Sequence, residues 1–188
     1  LKAAGIGSGD EVIVPNLTFI ATANAVEMAG AKPVFVDCEE SSLNIDPLLI
    51  EKQICSRTKA IIPVHVSGRA ADMDRILSIA SRHQIMVIED AAGAFTSLHK
   101  NRCLGTFGTI GCFSFSPNKT VTTGQGGLVV TNDRELYSRL RELKDQGRFN
   151  RGTGGDDVHS SVGYNFKLTN LQAAVGLGQL ERLKDRTN

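Results

Sequence analysis

The chain has 188 residues, which suits one domain with a sizeable buried core, because the buried fraction of surface rises with chain length. Hydrophobic residues make up 41% and charged residues 22%, and the net charge is +1. That balance gives no electrostatic case for nucleic acid or an anionic membrane as the main partner, and no apolar run approaches the roughly 18 residues of a membrane-spanning helix.

In chain order, Leu1–Gly5 reads as the last turn of a helix with a glycine stop. No signal-peptide pattern precedes the first strand. With Leu at position 1 and a C-terminus just after an amphipathic helix, the chain is expected to be a fragment. Glu11–Val14 is a short apolar strand, Phe19–Ala29 an Ala-rich helix closed by Gly30, and Pro33–Val36 a strand. Asp46 can cap a helix that starts at Pro47 and runs to about Cys55. Lys59–Val66 is a largely apolar run, as a strand buried on both faces requires. Asp72 caps the next helix, with Met73, Ile76, Leu77 and Ala80 on one face. Ile85–Ile88 is another buried strand; Ile110–Phe115 and Gly127–Thr131 are two more, joined by a Gly/Thr-rich loop. Asp133 caps a charged helix to about Lys144, Arg148–His159 reads as a mobile polar loop, and Leu168–Leu183 is the last helix.

Strands alternating with helices predict βαβ units around a mostly parallel sheet. The connection from 115 to 127 has no room for a crossover helix, so its two strands are predicted to pair antiparallel. The four cysteines, Cys38, Cys55, Cys103 and Cys112, form no CxxC pair and have no histidine at ligand spacing, so no metal site is expected. Scattered in an α/β pattern, they read as reduced, cytosolic thiols packed as small hydrophobes.

Ligands of such sheets sit at the carboxyl ends of the strands, and three polar strand ends stand out: His65, Glu89-Asp90 and Ser114–Lys119. Lys119 follows a strand and precedes a Gly-rich turn. Desolvation there would make its amine a nucleophile suited to Schiff-base chemistry; the plainer alternative is a solvated loop lysine. Asp90 could sit against a protonated pyridine nitrogen and keep that ring an electron sink, or it could simply cap a helix. The Ser114 and Ser116 hydroxyls could hold phosphate oxygens, or be ordinary strand serines. Phe19 could stack on a planar cofactor or pack as a core aromatic. His65 reads as a second-sphere donor or a hydrogen-bonded structural histidine. Gly124–Gly127 has neither the GxGxxG nor the Walker spacing and reads as a tight turn near the lysine loop.

Together these stretches resemble the DegT/DnrJ/StrS family of PLP-dependent nucleotide-sugar aminotransferases. The resemblance is carried by Gly-Asp-Glu-Val-Ile-Val-Pro at 9–15, Asn-Ala-Val at 24–26, Ala-Lys-Pro-Val-Phe-Val-Asp at 31–37 and Ile-Pro-Val-His at 62–65. It continues in Ala-Asp-Met-Asp at 71–74, Ile-Glu-Asp-Ala-Ala at 88–92, Cys-Phe-Ser-Phe-Ser-Pro-Asn-Lys at 112–119 and Thr-Thr-Gly-Gln-Gly-Gly at 122–127. The last stretch is Gly-Tyr-Asn-Phe-Lys-Leu-Thr-Asn-Leu-Gln-Ala-Ala at 163–174.

The resemblance implies a three-layer α/β/α fold with a mostly parallel sheet and one antiparallel strand. Residues 1–188 would be part of the large cofactor-binding domain, without its N-terminal segment or the C-terminal small domain. It implies pyridoxal 5'-phosphate as cofactor, Lys119 as the Schiff-base lysine and proton shuttle, Asp90 as partner of the ring nitrogen, and Ser114 as a phosphate ligand. Phe19 takes the position of the stacking aromatic, with Thr18 beside it. Asn165 and Lys167 fall in a segment that reaches the neighbouring subunit's cofactor phosphate, so a homodimer is implied. The reaction implied is amino transfer, from glutamate, to a keto carbon of a nucleotide-linked deoxysugar. In two respects the chain departs from the family: Gly93 stands where a glutamine usually bonds the ring hydroxyl, and the family's Gly-Thr-Ser/Ala phosphate segment is expected to lie upstream of Leu1. The dehydratase branch replaces the lysine with histidine, which Lys119 opposes; a non-catalytic or regulatory protein on the same scaffold is the remaining alternative.

Overall fold

The computed structural model describes residues 1–148 and 157–187. Its main sheet has six strands, β1 (Glu11–Pro15), β2 (Lys32–Val36), β3 (Thr58–Ile61), β4 (Met86–Asp90), β7 (Ile110–Ser114) and β8 (Gly127–Val130), in the order β2-β1-β3-β4-β7-β8. The first five run parallel; β8 pairs antiparallel with β7, Ser114 opposite Gly127. This is the mixed sheet predicted from the spacing. Every residue of β1 is buried, as expected for an inner parallel strand covered on both faces.

Side chains alternate across that sheet and feed two cores. On one face Ile13, Ile61 and Val87 pack with Ile50 of α2 (Pro47–Gln53) and with Met73, Ile76, Ile79 and Ala80 of α3 (Met73–His83). On the other, Val12, Val14, Ile88 and Ile110 pack with Val26 of α1 (Ala21–Ala29) and Leu136 of α4 (Arg134–Lys144). The result is the three-layer α/β/α arrangement. The expected caps are in place: Asp46 accepts the Leu48 N–H, Asp72 that of Arg75, and Asp133 those of Glu135 and Leu136. Gly30 ends α1 at φ 86°, a conformation that favours glycine.

The structure departs from the sequence reading in three places. β3 stops at Ile61 instead of reaching Val66, because Pro63 has no N–H to donate; pairing resumes as a single bridge, Val64 to Asp90. The segment after β4, to which the sequence reading assigned no element, holds a hairpin of two-residue strands, β5 (Leu98–His99) and β6 (Arg102–Cys103), turned by Lys100 and Asn101 at positive φ. The last helix is two pieces, α5 (Asn170–Glu181) and α6 (Leu183–Thr187). Of the predicted loop at 148–159, residues 149–156 lie outside the described residues. Among the described residues, no helix is long and apolar enough to cross a membrane.

Candidate active site

β4 and β7 are adjacent and parallel, with Asp90 beside Cys112, so Asp90 and Ser114 end neighbouring strands at one edge of the sheet. Ile88 and Ile110 belong to the core on the α1/α4 face. The two-residue period of a strand therefore puts Asp90 and Ser114 on that same face and Glu89 on the other.

The Asp90 carboxylate is held at both oxygens. The Thr22 hydroxyl donates to Oδ2 (2.7 Å) and the Ala92 N–H to Oδ1 (3.1 Å). Thr22 is buried near the start of α1, and its Oγ1 lies 2.8 Å from Thr18 Oγ1. Between them Phe19 is 80% exposed, so it is not the core aromatic that was one of its two readings. An apolar ring left this open offers a flat face to a planar ligand.

From Ser114 the chain leaves β7 through a tight loop. The Ser114 hydroxyl donates to Ser116 Oγ (3.0 Å) and accepts the Ser116 N–H (3.3 Å). The Lys119 N–H donates to Ser116 O (3.1 Å), so Lys119 lies one turn beyond the serine pair, half-buried. Among the described residues no carboxylate forms an ion pair with it. The loop closes on itself: Phe115 O accepts the Thr123 N–H (3.0 Å) and the Phe115 N–H donates to Gly126 O (2.9 Å). Gly124–Gly127 is thus the predicted tight turn beside the lysine.

His65 resolves to its structural reading. It is fully buried, its Nδ1 accepts the Ala71 N–H (3.2 Å), and its Nε2 lies 2.9 Å from Glu89 Oε2. With Nδ1 accepting, the ring proton sits on Nε2 and is donated to Glu89. Glu89 also accepts the N–H groups of Gly105 (2.8 Å) and Gly108 (2.6 Å). Burial alone would raise the Glu89 pKa; the donors from His65, Gly108 and Gly105 outweigh it and hold the carboxyl below its ordinary value. Sequence reasoning flagged Glu89 only as a strand-end acid and passed over Thr22, whose neighbour across the sheet is 68 positions away.

The structure does not gather Asn165 and Lys167 with Asp90 and Lys119. Both lie on an exposed segment that runs along the end of α4: Tyr164 N–H to Leu143 O (2.6 Å), Phe166 N–H to Lys144 O (3.0 Å), and an Asp145–Asn165 bridge. The Lys167 ammonium pairs with Asp145 (2.6 Å), which, followed by Arg148, holds that carboxyl below its ordinary value. At Gly93 a β-carbon would meet only the Gly68 nitrogen, at 3.9 Å, so a side chain fits there and the departure from glutamine is not imposed by crowding.

A family model described as the DegT/DnrJ/EryC1/StrS aminotransferase family matches residues 1–188. The chain belongs to this family. The GDP-perosamine synthase of Escherichia coli O157:H7 is 48% identical over 185 residues, covering 98% of this chain and 50% of that protein. The X-ray structure of the aminotransferase from Psychrobacter cryohalolentis superposes with a TM-score of 0.92 at 41% identity, over 98% of this chain and 49% of that one. The PLP form of a Streptococcus pneumoniae protein assigned as a sugar aminotransferase superposes at 0.91 with 29% identity, over 98% and 52%. The chain thus spans about half the length of the relatives it matches.

Proposed function

We propose that this chain is the cofactor-binding core of a PLP-dependent aminotransferase. It moves an amino group, from glutamate, to a keto carbon of a nucleotide-linked deoxysugar, in polysaccharide or antibiotic-sugar biosynthesis. The observation that carries the reading is Asp90 and Ser114 ending adjacent parallel strands on one face of the sheet, with the Lys119 amine in the loop that leaves Ser114. The family supports it, as do a relative named for GDP-perosamine synthesis and a neighbour solved in a PLP form.

The donor set fits the cofactor. Asp90 keeps acceptor capacity beyond its two anchors, as a ring N–H requires. Ser114 and Ser116 offer hydroxyls to a phosphate, and Lys119 offers a primary amine with no carboxylate partner among the described residues. When bound, PLP supplies an electron-withdrawing ring that stabilises negative charge at the substrate carbon. Asp90 would accept the ring N–H and keep that nitrogen protonated. Phe19 would be the residue to cover a ring face, with Thr18 next to it in the chain. Lys119 would hold the cofactor covalently through its primary amine, and when free that amine would be the base that moves a proton at the substrate carbon. In the whole protein Asn165 and Lys167 face the neighbouring subunit's phosphate, which makes the working unit a homodimer.

The test uses the full-length protein. It should show a cofactor absorbance band near the visible that Lys119→Ala removes. Lys119→Arg keeps the charge but should lower turnover by roughly 10³-fold, since a guanidinium can neither attack nor shuttle. Asp90→Asn should still bind PLP and convert it to the amino form with glutamate more slowly. A wild-type band in Lys119→Ala would overturn the reading.

A further inference from the structure

A threonine near a helix start ordinarily turns its hydroxyl to the helix's own first N–H groups. Two threonines flank the start of α1, yet neither caps it: the N-cap position is Ile20, with no side-chain cap bond. Thr22, buried, directs its hydroxyl instead to Asp90 Oδ2 at 2.7 Å, on a strand two places away in the sheet. Each hydroxyl has one proton. A carboxylate accepts, so the Thr22 proton goes to Asp90, and the 2.8 Å contact between Thr18 and Thr22 must be donated by Thr18. A longer contact from Thr18 to Phe19 O, at 3.3 Å, competes for that proton. The order Thr18 to Thr22 to Asp90 polarises each bond in one direction.

The second carboxylate oxygen is fixed by the Ala92 N–H at 3.1 Å. Two anchors on two oxygens define the plane of the carboxylate; one alone would leave it free to turn about Cβ–Cγ. The Ala92 anchor is local to the strand end. The Thr22 anchor comes from the first turn of α1, and the Thr22 N–H donates to Phe19 O (3.1 Å), so the start of that helix is tied to both residues.

We infer that Thr22, supported by Thr18, is a positioning residue that fixes the Asp90 carboxylate toward the cofactor ring nitrogen. This rests on the cofactor reading above. In the full-length protein, Thr22→Val keeps the shape and removes the hydroxyl, while Thr22→Ser keeps the hydroxyl. Losing one hydrogen bond to a charged group should weaken PLP affinity roughly tenfold. It should also alter the visible circular dichroism of bound PLP, which reports ring orientation and which a merely structural loss in the cofactor-free protein would not move. Thr22→Ser should restore both cofactor readouts. Wild-type affinity and dichroism in Thr22→Val would overturn the inference, as would Thr22→Ser behaving like Thr22→Val, since packing of the methyl would then be the cause. If Thr22→Val does not fold, Thr18→Val decides: a smaller loss, about threefold, with the same change in dichroism is expected, and no change overturns the inference. A wild-type protein lacking any Lys119-dependent band would overturn the cofactor reading and this inference with it. A normal band that is indifferent to Thr22 overturns this inference alone.

Discussion

Glu89 and Asp90 are chain neighbours with opposite surroundings. Asp90 sits half-buried at the open edge with acceptor capacity to spare, while Glu89 is fully enclosed and takes donors from His65, Gly105 and Gly108. Two adjacent acids ending a strand are plain in the sequence, but which one faces a ligand follows from the strand's period only once the sheet has two defined faces. Because the folded Glu89 pKa lies below its unfolded value, its contribution to stability is present above the unfolded pKa. It is lost as pH falls through the lower folded one. Glu89→Gln places an amide where one backbone N–H needs an acceptor. It should cost about 2 kcal/mol at pH 7, and the gap to wild type should narrow below about pH 4. Urea unfolding across that range checks both; an equal gap at every pH would show that the carboxylate is not the stabilising species.

The lysine loop is held from outside by α5. Gly176 is the buried residue of that helix, and a β-carbon there would lie 2.9 Å from Thr123 Cγ2. The Gln172 amide donates to Gln125 O (3.0 Å), and Thr169 with Gln172 forms a capping box. At Gly178, two positions on, a β-carbon would meet nothing within 4 Å. The two glycines should therefore respond in opposite directions. Gly176→Val should cost about 1–3 kcal/mol by overpacking and raise hydrogen exchange at 122–127. Gly178→Ala should stabilise by up to about 1 kcal/mol, since alanine is the better helix former. Equal effects at both would show that α5 does not rest on the loop. The sequence displays both glycines in one amphipathic helix; the contact that separates them is tertiary.

At the scale of the whole molecule, α5 turns apolar residues outward: Leu171 is 81% exposed, and Val175 and Leu177 are exposed with it. On the adjoining segment Tyr164 and Phe166 stack at 4.9 Å with Phe166 open to solvent. Exposed apolar side chains in this number suit the core of a subunit interface. The proposed homodimer then predicts that the full-length protein sediments as a dimer at micromolar concentration. Leu171→Asp with Val175→Asp should shift it to monomers by placing unpaired charges in that interface. A strict wild-type monomer would count against a shared site.

Much of this molecule is legible in the order of its residues. Alternation of apolar runs with capped helices determined the α/β class, the parallel strands and the single antiparallel pair. The helix starts at Asp46, Asp72 and Asp133 are local chemistry, readable because a cap acts within three residues. The ordered stretches from 9 to 174, those around Asp90 and Lys119 among them, together carried the family resemblance. Local pattern failed where a distant partner or a missing donor decides: Pro63 cut β3 short, and two-residue strands were too brief to show a period. The tertiary structure alone decided that His65 and Glu89 enclose one another, that Phe19 stays exposed, and that Thr22 holds Asp90 across 68 positions. Those facts depend on which strands become neighbours, and a bond between two side chains leaves no periodic trace along the chain.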